Sequence, residues 1–313
     1  MTPIYHNLAG VPDKAGRANR YTTTGLKRDG YQKSVYELHD GHQLNAEQGQ
    51  NNLMFIKFVG RSPEEKSELE RFAKEEVSLG EDTAFESIVR YKDYIKEQDM
   101  LVVEEADWRG IEPGTYMSDE ELLYLAKDIL SALTYLHDRG QVHGYVHPSN
   151  IIPFERPETA DPDKRRGFKL IGHGLVPKVI WTWKDLPGRR FTPPEFRNKK
   201  REYQPTKESD VWMLGQTLIE LHSYGRSARP QYGNLVWGSH DWPATFTELR
   251  MDAAGRCDEH RHCQLSEFLK KMLEPNPRSR MKAEVALDDV VSWYLQLSLT
   301  EELQALEEVK KRK

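Results

Sequence analysis

Short strand-like apolar runs, with one helical stretch among them, mark the first hundred residues, and helical spacing dominates after that. "SVYELHDG" and "NLMFIKFVG" are two strand-like runs separated by the polar stretch "HQLNAEQGQN", which predicts an antiparallel pair with a long connection. "RSPEEKSELERFAKEEVSLG" predicts a helix, with Ser62 as its cap, Pro63 in the first turn and Glu65 completing a capping box. Leu69, Phe72, Ala73, Glu76 and Leu79 share one face of that helix, and a carboxylate within an apolar stripe needs a partner. "SIVRYKDYI" and "DMLVVEEA" predict two more strands, so this region reads as a small sheet with one helix. Residues 1–20 are polar and aperiodic, the pattern of a flexible arm.

After the turn-rich connector "DWRGIEPGTYMSD" the helical period takes over. Ser118 and Glu121 form a capping box ahead of a helix with Leu122, Leu125, Ile129, Leu133 and Leu136 on one face. "QVHGYVHPSNIIPF" follows, then the polar insertion "ERPETADPDKRRG" and a short strand "FKLIG". Helices are predicted at "ESDVWMLGQTLIELHSYG", "LSEFLKKML" and "AEVALDDVVSWYLQL", and the last residues, "SLTEELQALEEVKKRK", read as an amphipathic helix with a basic tail.

Composition narrows the function classes. With 37% apolar residues, seven Trp and fourteen Tyr, the chain has the material for a folded core. A net charge of −5 argues against a sequence-independent nucleic-acid binder, so no nucleic-acid partner is expected. Two Cys build no disulfide framework, which suits a reducing compartment. No apolar run approaches the roughly 18 residues of a membrane span. A soluble, intracellular protein of the cytoplasm or nucleus is expected, with no membrane partner.

The stretch from Gln141 to Phe154 resembles the catalytic loop of protein kinases, H-R-D-L-x-x-x-N, with Asn150 at its Asn. The other landmarks of that superfamily fall in order over residues 20 to 297. Lys57 in "MFIKF" sits at the strand Lys, with Glu76 as its natural helix partner and Glu75 as a rival. "VVEEADW" resembles the hinge that reads adenine through backbone groups, here at Glu104 and Ala106, with Val103 guarding the back pocket. "FTPPEF" resembles the end of an activation segment with Glu195 as its acid, and "SDVWMLG" places Asp210 where it would tie down the catalytic-loop backbone. "LEPNPRSRM" resembles the motif whose Arg, here Arg280, pairs with that Glu.

The resemblance implies an α+β, bilobal, protein-kinase-like fold. Its parts would be a flexible arm at 1–20, a kinase-like small lobe at 21–106 with five strands and one main helix, a mainly helical lobe at 107–297, and a terminal helix with a basic tail at 298–313.

The chemical positions depart from the family pattern. Phosphoryl transfer needs metal ligands, a carboxylate that orients the hydroxyl and a loop over the phosphates. Tyr145 stands at the catalytic Asp, and the D-F-G triplet reads Gly172, His173, Gly174. In "RDGYQKSVY" only Gly30 matches the phosphate loop, with Arg28 and Lys33 at its other Gly positions. His147 replaces the loop Lys, and Gly144 replaces the Arg that docks a phosphorylated segment, where only Thr182 and Thr192 offer hydroxyls. The expectation is a pseudokinase and no enzyme: a scaffold or allosteric regulator with no required cofactor and no metal site, whose partner is a protein such as an active kinase or a signalling protein. ATP could bind without Mg²⁺ through Lys57, Glu76, Glu104, Ala106, Asn150 and Gly30. The alternatives are a weak or unconventional ATP-dependent serine/threonine kinase or nucleotidyl transferase, and a metal-independent nucleotide sensor.

Several residues carry two readings. Lys57 and Glu76 form either a nucleotide clamp or a structural ion pair. His143 and His173 are either a pH- or metal-sensitive pair or hydrogen-bonded packing rings. Tyr145 is either an unusual base or a packing residue. Cys257, Asp258, His260, His262 and Cys263 lie within seven residues in "CDEHRHC", read as a solvated loop ahead of a helix, but lack the paired spacing of strong zinc sites. Trp181 and Trp183 in "VIWTWKDLPG" either pack on the larger lobe or anchor a bound protein.

Overall fold

The computed structural model describes residues 21–29, 33–40, 53–58, 86–95, 100–104, 110–111, 117–156, 166–172, 191–196, 204–223 and 259–296, with positions 63, 67, 70, 71, 74 and 115. Five strands, β1 (Tyr21–Asp29), β2 (Lys33–Asp40), β3 (Leu53–Phe58), β4 (Tyr91–Ile95) and β5 (Met100–Glu104), form an antiparallel sheet in the order β1-β2-β3-β5-β4. In this sheet Lys57 lies opposite Ser34 on one side and Met100 on the other. Val102 and Val103 are fully buried, as β-branched residues of an inner strand should be. Positions 63, 67, 70, 71 and 74 are helical, within the stretch where the sequence predicts a helix.

Strands β6 (Ile151–Glu155) and β7 (Arg166–Leu170) make a second, two-stranded sheet. Leu170 continues into a parallel bridge with Ile88: Val89 N–H donates to the Leu170 carbonyl at 3.1 Å, and Leu170 N–H donates to that of Ser87 at 2.8 Å. Gly167 lies so close beneath Phe154 that a Cβ there would come within 2.5 Å of the ring.

Four further helices follow among the described residues: α1 (Asp119–Asp138), α2 (Lys207–Ser223), α3 (Glu259–Met272) and α4 (283–296). Helix α1 starts where its capping box predicts, with Glu121 N–H donating to Ser118 Oγ at 3.2 Å and Ser118 N–H donating to Glu121 Oε2 at 2.9 Å. Its apolar stripe, Leu122, Leu125, Ile129, Leu133 and Leu136, is at most 1% exposed. Helix α3 begins at Glu259, earlier than the apolar spacing of Leu265, Phe268, Leu269 and Met272 suggests. His260, His262 and Cys263 therefore belong to a helix and not to a loop, since no Gly or Pro interrupts the chain between Glu259 and Leu265.

The chain divides into two compact units, Met1–Ile111 with Ile152–Val179, and Glu112–Ile151 with Ile180–Lys313. The first holds both sheets, apart from Ile151 at the start of β6. The second holds the four helices and the loop that carries Tyr145.

Candidate catalytic loop and its supports

The loop 143–150 is fixed by one buried carboxylate. Asp210, in the first turn of α2 and fully buried, accepts from His143 N–H through Oδ2 at 2.8 Å and from Gly144 N–H through Oδ1 at 2.7 Å. His137 Nε2, at the end of α1, lies 3.0 Å from the same Oδ2. Lys207 Nζ donates to the carbonyl of His137, joining the start of α2 to the end of α1. A buried carboxylate with several N–H partners holds a backbone firmly, because each charge-assisted bond is stronger than a neutral one. Gly144 has a φ of 77°, in the region where a Cβ is strained, so its glycine suits the turn.

Beyond the turn, His143 is fully buried and accepts from Tyr145 N–H through Nδ1 at 3.1 Å, while its own N–H serves Asp210. This is the arrangement of a hydrogen-bonded packing ring. Asn150 spends its side-chain amide on the Tyr145 carbonyl at 2.9 Å. His147 caps the short 3-10 turn Pro148–Asn150, accepting from Ser149 N–H at 3.2 Å.

At the position of the catalytic carboxylate, the Tyr145 ring is partly buried and lies edge-on to the His147 imidazole, with centroids 4.1 Å apart. His147 in turn meets the buried ring of Phe191 at 5.9 Å. Burial pushes the Tyr145 phenol upward, so it is neutral near pH 7 and cannot take a proton as a carboxylate does.

Glu195, in the 3-10 turn Pro194–Phe196, holds the other end of the segment. Both its oxygens accept from Arg280, at 2.8 and 2.9 Å. Arg280 is 4% exposed and also donates to the carbonyls of Glu274, Glu208 and Pro275, and its guanidinium carbon stands 4.9 Å from the ring centroid of the fully buried Trp212. Thr192 is buried beside Phe191, so its hydroxyl is shielded from a modifying enzyme in this arrangement.

The structure thus brings together Asp210 with His143 and Gly144, Asn150 with Tyr145, and Glu195 with Arg280. Lys57 is placed by its strand register, Glu104 ends β5, and Gly172 has a φ of 88°. Gly30, Glu75, Glu76, Ala106, His173, Trp181, Trp183, Cys257 and residues 298–313 lie outside the described residues. Sequence reasoning passed over His137, Lys207 and Phe191. Only the buried stripe of α1, which ends at His137, hinted at one of them.

Asn150 donates its side-chain N–H to the Tyr145 carbonyl through Nδ2, and both Asp210 oxygens accept loop N–H groups. Among the described residues no group of three or more His, Cys, Asp or Glu could hold a metal ion. No helix among them is long and apolar enough to cross a membrane.

Comparison with known proteins agrees with this layout. The protein kinase domain family matches residues 43–291. Serine/threonine-protein kinase Kist of Homo sapiens is 28% identical over 175 residues, covering 52% of this chain and 39% of that protein. Mitogen-activated protein kinase kinase kinase 1b of Physcomitrium patens is 27% identical over 249 residues, 76% of this chain and 30% of that protein. The chain therefore spans well under half the length of these curated relatives. Among solved structures, Rad53 1–466 in complex with AMP-PNP superposes with a TM-score of 0.57 at 15% identity, over 86% of this chain and 64% of that one. The Rad53 kinase domain with SCD2 gives 0.56 at 17%, over 86% and 87%. At such identities the likeness shows the fold, which is that of protein kinases.

The expectation that the chain is no enzyme is corrected by these matches. The kinase family match and the relatives named as serine/threonine kinases point to an enzyme, at an identity of 28%. The substitutions at 145 and 172 alone misled, because they remove individual groups and leave the framework of the family in place. With its kinase match over residues 43–291 and its loop, carboxylate and ion pair at the family's landmarks, the chain belongs to the protein kinase domain family.

Proposed function

We propose that this kinase-family chain works mainly through protein contacts, as a scaffold or allosteric regulator, and that its phosphoryl transfer is slow. Tyr145 stands at the family's catalytic Asp, so transfer runs without a carboxylate at position 145. The observation that carries this reading is the Tyr145 ring, packed 4.1 Å from His147 where a base would stand. Loss of a general base slows such reactions by roughly 10² to 10⁴. The lobe's supports, Asp210 and the Glu195–Arg280 pair, keep a rigid surface for a partner.

The partner is a protein, an active kinase or another signalling protein, with Trp181 and Trp183 as its anchors, since Trp is enriched among binding hot spots. On α4 the apolar side chains of Val291 and Leu295, four residues apart, are 36% and 55% exposed and add a second contact area. ATP enters as a ligand held without Mg²⁺ by Lys57 and the backbone at Glu104 and Ala106. Relatives named as serine/threonine kinases favour a second reading, an unconventional ATP-dependent kinase.

Thermal melting with ATP, with and without Mg²⁺, tests the reading, because a ligand that binds only the native state raises the melting point. A shift that needs no metal and vanishes in Lys57→Ala is expected. No shift would remove the nucleotide and leave the protein contacts. A shift that requires the metal would contradict the reading and favour the second.

A further inference from the structure

We infer that Tyr145, His147 and Phe191 form an aromatic clasp that seats the segment 191–196 on the loop 143–150 without any phosphate. The three rings follow one another at 4.1 and 5.9 Å, with His147 in the middle. Such aromatic neighbours attract beyond the area they bury. His147 is well suited to the middle place, because its Nδ1 is tied to Ser149 N–H at 3.2 Å and its ring cannot swing freely.

The clasp completes a two-point attachment. Glu195 is fixed by two hydrogen bonds to Arg280 at one end, and Phe191 by the rings at the other. Between them Thr192 is 2% exposed, which leaves its hydroxyl no route to a modifying enzyme while the clasp holds. Gly144, with no side chain, offers no basic dock for a phosphorylated segment. Ring packing does the work that a phosphate and an Arg would otherwise do. The segment is therefore held in one position constitutively, which deepens the protein-contact reading by giving it a fixed surface that needs no switching.

Two variants at one position separate stacking from capping. His147→Asn keeps an acceptor for the Ser149 N–H but loses the ring, whereas His147→Phe keeps a ring and loses the acceptor. Amide hydrogen exchange of the full chain, measured with no partner, nucleotide or phosphorylation, reads the opening of residues 191–196. About tenfold faster exchange there is expected in His147→Asn, with near-normal exchange in His147→Phe and unchanged protection in α1 of both. Normal exchange in His147→Asn, or equal loosening in both variants, would overturn the clasp. Because no partner is present, either result stands apart from the fate of the protein-contact reading.

Discussion

Arg280 gives both of its terminal nitrogens to the two oxygens of Glu195, at 2.8 and 2.9 Å, with its own side chain fully out of solvent. Three backbone carbonyls take its remaining donors, so the pair has the added hydrogen bonds a buried ion needs. This bond ties a 3-10 turn to a loop 85 residues away.

Removing one partner leaves the other charge buried and uncompensated. Glu195→Ala is expected to lower stability by about 3 kcal/mol in urea unfolding. Arg280→Lys should also lower it clearly, since an ammonium cannot reproduce the two-pronged contact. A loss under about 0.5 kcal/mol for Glu195→Ala, the size of an ordinary surface change, would show that the pair does not hold this lobe.

Asp210 serves two loop N–H groups and His137 at once. Asp210→Ala should cost about 3 kcal/mol, the scale of hydrogen bonds to a charged group, and hasten amide exchange at Gly144. Exchange at Gly144 as slow as in the unaltered chain would mean that the turn holds itself.

Much of this was legible in the sequence and some was not. The capping box of Ser118 and Glu121 and the stripe from Leu122 to Leu136 are local, so period and spacing alone predict them. Asp210 and Gly144 are 66 residues apart, and only the resemblance of two short motifs to the kinase pattern linked them. His137 meets Asp210 across 73 residues, and nothing in "YLHDRG" distinguishes it from a surface His. Phe191 reads as an ordinary core residue until the loop and segment are folded together. Helix α3 starts upstream of its apolar spacing because "EHRHC" holds no Gly or Pro to stop it, a continuation that apolar periodicity does not register.

Alkaline pH gives a separate check on Tyr145. Burial raises its pKa in the folded state above the ordinary value of about 10. The unfolded chain then releases the proton first, so this contribution is fully present below pH about 10 and is lost as pH rises above it. The difference in stability between the unaltered chain and Tyr145→Phe should therefore be flat from neutrality to about pH 10 and fall beyond. A difference that does not change with pH would show the phenol to be as solvated as in the unfolded chain.

Restoring the carboxylates missing at 145 and 172 should speed the slow transfer proposed above. Rates of ATP-dependent phosphorylation of a generic acceptor protein, with Mg²⁺, should be measured for the unaltered chain and for Tyr145→Asp combined with Gly172→Asp. Asp at 172 must accept a φ of 88°, which it tolerates better than most side chains at a cost of about 1 kcal/mol. The double variant should transfer phosphate faster by at least about 10², the lower end of what a positioned base supplies. A folded double variant no faster than the unaltered chain would contradict the proposal, and would place any transfer on residues other than these two.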